Sequence, residues 1–175
     1  ELGYEDNSVT STQPFPVQIR APNNMTVRAV SAGQEFTCII TQVRDVWCTG
    51  NNYQGQLGDA SSTDRHSFAK TRLPAGYEVI SLSSGWAHSC AILETGEVYC
   101  WGRGNDGQLG DGNSTSRTIP VKATLPTNRT ATSLALGNSH TCALLDDGNV
   151  TCWGDNARGR APNDLTMPNG RYATA

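Results

Sequence analysis

The sequence contains no apolar run approaching the roughly 18 residues that a membrane-spanning helix needs. That excludes a helical membrane anchor within this stretch. It also lacks a basic patch. Lys and Arg together number 13 against 16 Asp and Glu, giving a net charge of −3, and the basic residues are scattered. Nucleic-acid binding would call for a clustered positive footprint. No signal-peptide pattern is visible and no Met opens the chain. Because Glu1 falls inside a repeating unit, these two absences exclude nothing, and a portion of a longer chain is expected. Glycine is plentiful instead, at 18 residues, with 8 Pro. That balance fits a turn-rich all-β protein.

Six cysteines stand in three equal pairs, Cys38/Cys48, Cys90/Cys100 and Cys142/Cys152, each ten positions apart. The first members of the pairs follow one another at a spacing of 52. A fixed period of that size marks structural repeats or propeller blades. The copies match outside the cysteines too. VRAVSAG from Val27, VISLSSG from Val79 and ATSLALG from Ala131 hold the same offset. Units are therefore expected at 27–78, 79–130 and 131–175, the last with a divergent end. Residues 1–26 resemble the tail of a preceding unit, with Glu1-Leu2-Gly3 echoing Gln56-Leu57-Gly58.

Within a unit, the cysteines frame a hairpin. A three-residue loop at Glu94-Thr95-Gly96, with Gly96 left-handed, sets Cys90 opposite Cys100. Asp146-Asp147-Gly148 does the same for Cys142 and Cys152. The first unit has Gln42-Val43-Arg44 there and no Gly, which predicts a more strained or differently shaped turn. Even, equally spaced pairs point to disulfides formed in an oxidising space. Reduced core thiols are the alternative. A zinc site is disfavoured because structural zinc wants four ligands close together. In the second unit, Ile92 and Val98 are expected to face the neighbouring unit, with Tyr99 and Trp101 on alternate sides. Leu109 is expected to plug the core between units.

The run HSCAILETGEVYCWGRGNDGQLGDG from His88 resembles the repeat of the regulator of chromosome condensation family. Its Gly, His, hydrophobic strand, T-G turn, aromatic-x-W-G strand and N-x-x-G-Q-L-G loop carry the likeness. The resemblance covers essentially the whole chain. It implies an all-β fold: a partial β-propeller of about three four-stranded antiparallel blades plus a fragment, part of a ring that is usually seven-bladed. The paired cysteines are similar to the secreted branch of these repeats. The resemblance also implies a packing and hydrogen-bonding role for His88 and His140, whose counterpart in the first unit is Phe36.

Four N-x-S/T sequons occur, at Asn24, Asn113, Asn128 and Asn149. Together with the cysteine pairs they predict a glycoprotein of the secretory pathway, although unoccupied sequons are the bland reading. No catalytic or cofactor constellation emerges. Ser89 and Thr141 recur beside a His and are no nucleophile pair, Asp59 and Asp111 are turn residues, and His66 is a loop residue. The glycine-rich loop is followed by no helix signal that would make it a phosphate cradle. The expected function is a non-enzymatic extracellular scaffold that binds protein partners or further blades, or builds a surface filament or matrix. A secreted regulator or inhibitor of a partner enzyme and a carbohydrate-binding propeller using exposed Trp or Tyr, with Trp101 and Trp153 as its best residues, are the alternatives.

Overall fold

The computed structural model describes residues 15–16 and 18–159. The expected echo at residues 1–3 and the divergent end beyond residue 159 lie outside that range. After a short 3-10 turn at Pro22–Asn24 come eleven strands. β1 (Val27–Ala32), β2 (Phe36–Thr41), β3 (Val46–Gly50) and β4 (Arg65–Lys70) form one antiparallel meander. A second meander is β5 (Val79–Ser84), β6 (His88–Leu93), β7 (Val98–Gly102) and β8 (Arg117–Lys122). The third comprises β9 (Ala131–Leu136), β10 (His140–Leu145) and β11 (Val150–Gly154) among the described residues. The fold is thus all-β, three consecutive blades of a partial propeller.

The middle strands explain the apolar runs. β6 is buried along its whole length. Cys90 and Ile92 pack towards the third blade, while Ala91 and Leu93 pack towards the first. A strand covered on both faces reads as a continuous hydrophobic run rather than an alternating one. Ile92, Val98 and Leu109 enter the core shared with the third blade, as the sequence predicts. Tyr99 and Trp101 differ from expectation. Both pack against the first blade, because residues two apart on a strand share a face. The outer strand β8 tolerates Pro120 because it pairs with β7 alone.

The hairpin turns are three-residue loops in all three blades. In the second, Leu93 N–H donates to the Glu97 carbonyl and Gly96 N–H to the Leu93 carbonyl. Gly96 sits at φ +78 and Gly148 at φ +82. Of the two expectations for the first blade, a strained turn and a differently shaped one, the strained turn is the one found. Thr41 and Asp45 close the same loop, and Arg44 itself adopts φ +64. The register of the sheet fixes the turn, so Arg44 takes a conformation that costs a residue with a Cβ about 1–2 kcal/mol.

Each blade therefore has two ends. The turns at 42–45, 94–97 and 146–149 form the hairpin-turn end. The long loops at 51–64, 103–116 and 155–159 lie at the other, the return-loop end, beside the short loops at 33–35, 85–87 and 137–139.

Candidate functional site at the return-loop end

The cysteines are built into the blades. Cys38 is bonded to Cys48, Cys90 to Cys100 and Cys142 to Cys152, each pair directly opposite across the hairpin with Cα atoms 4.1 Å apart. That separation suits the narrow, non-hydrogen-bonded kind of antiparallel pair. The first two disulfides are fully buried. Among the described residues no thiol is free.

The recurring histidines, tryptophans and hydroxyls form the joints between blades. Trp101 Nε1 donates to the Gln56 carbonyl at 2.8 Å, and Trp153 Nε1 to the Gln108 carbonyl at 2.9 Å. Each bond links a return loop to the next blade. Thr141 Oγ1 donates to the same Gln108 carbonyl at 2.9 Å. His88 Nε2 lies 3.0 Å from Thr141 Oγ1. The hydroxyl has spent its one proton on Gln108, so His88 must donate from Nε2 and carry its lone pair on Nδ1. Burial, then the charges of His140 and Arg103, lowers the His88 pKa to about 4. His88 is thus a neutral blade-to-blade link, not a general base at neutral pH. Phe36 fills the matching place by packing alone. Gly85 leaves room for the His88 ring, since a Cβ there would collide with the imidazole and with the Gly137 carbonyl.

Asp59 and Asp111 staple the return loops. Asp59 accepts from Ser61 and pairs with Arg65 at 2.7 Å, and Asp111 pairs with Arg117 at 2.6 Å. Burial alone would raise the Asp59 carboxyl. The hydrogen bonds from Ser61 and Arg65 outweigh it and hold the group below its ordinary value. The same balance acts on Asp111, with Arg117 and Asn113 as the donors. Trp101 is fully buried and Trp153 half-buried, so neither offers a sugar platform. Among the described residues no group of three His, Cys, Asp or Glu side chains is placed to hold a metal ion.

What the joints leave over is concentrated at the return-loop end. Trp86, 39% exposed, stands on the short loop between β5 and β6, with the Arg103 guanidinium 5.2 Å from its ring centroid. Arg103 also pairs with Asp106 at 3.0 Å and donates to Ser139 Oγ at 3.4 Å. Beside them is a depression of about 630 Å³ lined by Arg103, Asp106, Asn138, Ser139, His140 and Asp155. Internal repetition does not mark these positions, because here the copies differ. The stations of Trp86, Arg103 and Asp106 hold Gln34, Asn51 and Gln54 in the first blade, and Asn138, Asp155 and Arg158 in the third.

All four sequon asparagines are exposed. Asn24, Asn128 and Asn149 lie at the hairpin-turn end, next to the starts of β1 and β9 and in the β10–β11 turn. Asn113 lies in the return loop ahead of β8.

The repeat can now be set beside known proteins. The profile described as the regulator of chromosome condensation (RCC1) repeat matches residues 27–56, 79–108 and 131–160, and a second profile of that description matches 95–144. The chain belongs to the RCC1 repeat family. The ultraviolet-B receptor UVR8 of Arabidopsis thaliana is 30% identical over 160 residues, 91% of this chain and 36% of the receptor. Yeast RCC1 (Prp20), solved with Kap60 bound, matches with a TM-score of 0.68 at 25% identity, over 82% of this chain and 35% of that one. The ectodomain of the Physcomitrella patens receptor kinase CR4 matches at a TM-score of 0.53 and 27% identity, over 75% and 29%. This RCC1-repeat chain thus spans 36% or less of these proteins' lengths. RCC1-type propellers are a protein-interaction fold, with the blades as a rigid support and the loops as the variable part.

Proposed function

We propose that this RCC1-repeat chain is part of a non-enzymatic extracellular propeller that serves as a scaffold for protein–protein interaction at the cell surface. The observation that carries the reading is the disulfide in register inside every blade. Such bonds persist in oxidising compartments and are rare in the cytosol and nucleus. Four exposed sequon asparagines agree with passage through the secretory pathway. The likeness to a receptor-kinase ectodomain points the same way. N-glycans on Asn24, Asn128 and Asn149 would crowd the hairpin-turn end. A protein partner, or a neighbouring subunit of a surface filament or matrix, then docks at the return-loop end. Its non-repeating side chains supply the specificity there, and the His88, Ser89, Thr141 and aspartate groups are occupied in structural bonds.

The test is expression in a eukaryotic secretory host, with the mass of the secreted protein measured before and after peptide-N-glycosidase. The reading expects secretion, and conversion of Asn to Asp at one or more of the four sequons. Retention in the cytosol with every sequon unmodified contradicts it.

A further inference from the structure

We propose that Asn149, at the tip of the third blade's hairpin, is a dedicated N-glycosylation site, set apart from the other three sequons by what the fold does not ask of it. The proposal rests on the secretory passage inferred for the chain. In a repeat, a residue that recurs is accounted for by the blade, and one that departs from the other copies is not. Each sequon can be sorted this way, because its Asn and its hydroxyl residue two places on both have counterparts at the 52-residue spacing.

Three sequons are accounted for by the blade. Asn24 and Thr26 recur as Asn128 and Thr130, and the second blade has Gly76 in the asparagine's place. The backbone is left-handed at all three, with φ +52 at Asn24, +88 at Gly76 and +58 at Asn128. Asparagine enters that region more readily than most residues with a Cβ, so the turn itself calls for Asn24 and Asn128. Thr115 recurs as Thr63, and Asn113 stands where the first blade has Ser61. The Ser61 N–H donates to Asp59 Oδ1 at 3.0 Å and the Asn113 N–H to Asp111 Oδ1 at 3.1 Å. Asn113 Nδ2 adds a bond to the Asp111 carbonyl at 3.2 Å, so this asparagine belongs to the return-loop staple.

Asn149 and Thr151 depart from the repeat together. The station of Asn149 holds an acid in both other blades: Asp45 pairs with Lys70 at 2.7 Å and Glu97 with Lys122 at 2.6 Å. At the same spacing the lysine falls on Thr174. The station of Thr151 holds an aromatic, Trp47 or Tyr99, and Tyr99 packs into the joint with the preceding blade. The third blade thus replaces an acid and an aromatic ring with the two residues that specify a sequon. The sheet does not call for the exchange, since Ala143 faces Thr151 and Leu144 faces Val150 just as Ala91 faces Tyr99 and Ile92 faces Val98.

The local geometry accepts a sugar. Asn149 is exposed. Its backbone N–H donates to Asp147 Oδ1 at 3.0 Å, as the Glu97 N–H does to Thr95 Oγ1 at 3.4 Å, so that bond serves the turn whatever the side chain. Asn149 Nδ2 donates to Asp147 Oδ2 at 3.1 Å. An amide nitrogen carries two hydrogens and loses only one to a glycan, so the bond and the sugar are compatible. A Cβ on the adjacent Gly148 would meet nothing within 4 Å, whereas one on Gly96 would collide with the Thr130 side chain. Among the described residues, the third turn therefore has the room that the second lacks.

The chain is expressed in a eukaryotic secretory host, treated with peptide-N-glycosidase in heavy-oxygen water and mapped by mass spectrometry, in secreted and cell-retained protein alike. The proposal expects Asn149 to be converted to labelled Asp in most molecules. Thr151→Val, which keeps the shape and removes the hydroxyl, should abolish that label and remove the mass of one glycan. Thr151→Ser should retain both, and the labelling of the other sequons should not change in either variant. Glycans on other sequons with Asn149 bare, or modified in a minority of molecules, overturn this proposal and leave the secretory reading standing. So does a label on Asn149 that persists in Thr151→Val. Every sequon bare overturns both.

Discussion

Trp101 of the second blade gives its indole N–H to the backbone carbonyl of Gln56 in the first blade's return loop, at 2.8 Å and fully buried. Trp153 repeats the bond to Gln108 one blade later. The tryptophan therefore works as a latch, and the glycine-rich loop is its catch. Trp101→Phe keeps most of the ring but removes the donor. The Gln56 carbonyl is left with only the longer approach of Ser89 Oγ, at 3.4 Å. A loss of about 1–3 kcal/mol is expected in urea unfolding. Trp153→Phe should cost less, since Trp153 is only half-buried.

Acid should weaken the same joint through His88. Its pKa in the folded protein is about 4, against an ordinary value of 6.5, with burial the leading cause. Above 6.5 both folded and unfolded chains hold the ring neutral, and the full stability is present. As pH falls below 6.5 the unfolded chain takes up a proton that the folded one refuses, so stability declines until about pH 4. The gap between the two values corresponds to about 3 kcal/mol. Unfolding free energies measured from pH 7.5 to 4 should show the decline. His88→Phe, which copies Phe36 of the first blade, should flatten it.

The turns offer opposite substitutions with opposite signs. Arg44→Gly relieves the left-handed strain at φ +64 and gives up a partly exposed 3.6 Å ion pair with Glu78. It should stabilise by up to about 1 kcal/mol. Gly96→Ala imposes that strain and also drives a Cβ into the Thr130 side chain. It should destabilise by about 2 kcal/mol or more. Thermal melts of the two variants, compared with the parent, check both signs.

The period of 52 made the blades legible, because residues that repeat are residues that the fold uses. The cysteine pairing followed from the same logic, since a three-residue loop forces Cys90 opposite Cys100. The strain at the Arg44 turn was legible from the missing glycine, whereas its unchanged shape was not, because sheet register fixes the loop. Tyr99 and Trp101 share one face, as strand residues two apart must. Trp86 and Arg103 were missed for a physical reason. Their contact joins two loops 17 positions apart, and neither residue recurs at the corresponding stations. Periodicity has no means of marking such a pair.

The central claim is that each unit is a blade locked by its own disulfide, as befits an extracellular scaffold. Peptide mapping of the native protein under non-reducing conditions, with free thiols trapped beforehand, tests it most directly. The account predicts three cross-linked peptide pairs, Cys38–Cys48, Cys90–Cys100 and Cys142–Cys152, and no trapped thiol among the six. Free thiols at these positions, or links running from one unit to another, would contradict it.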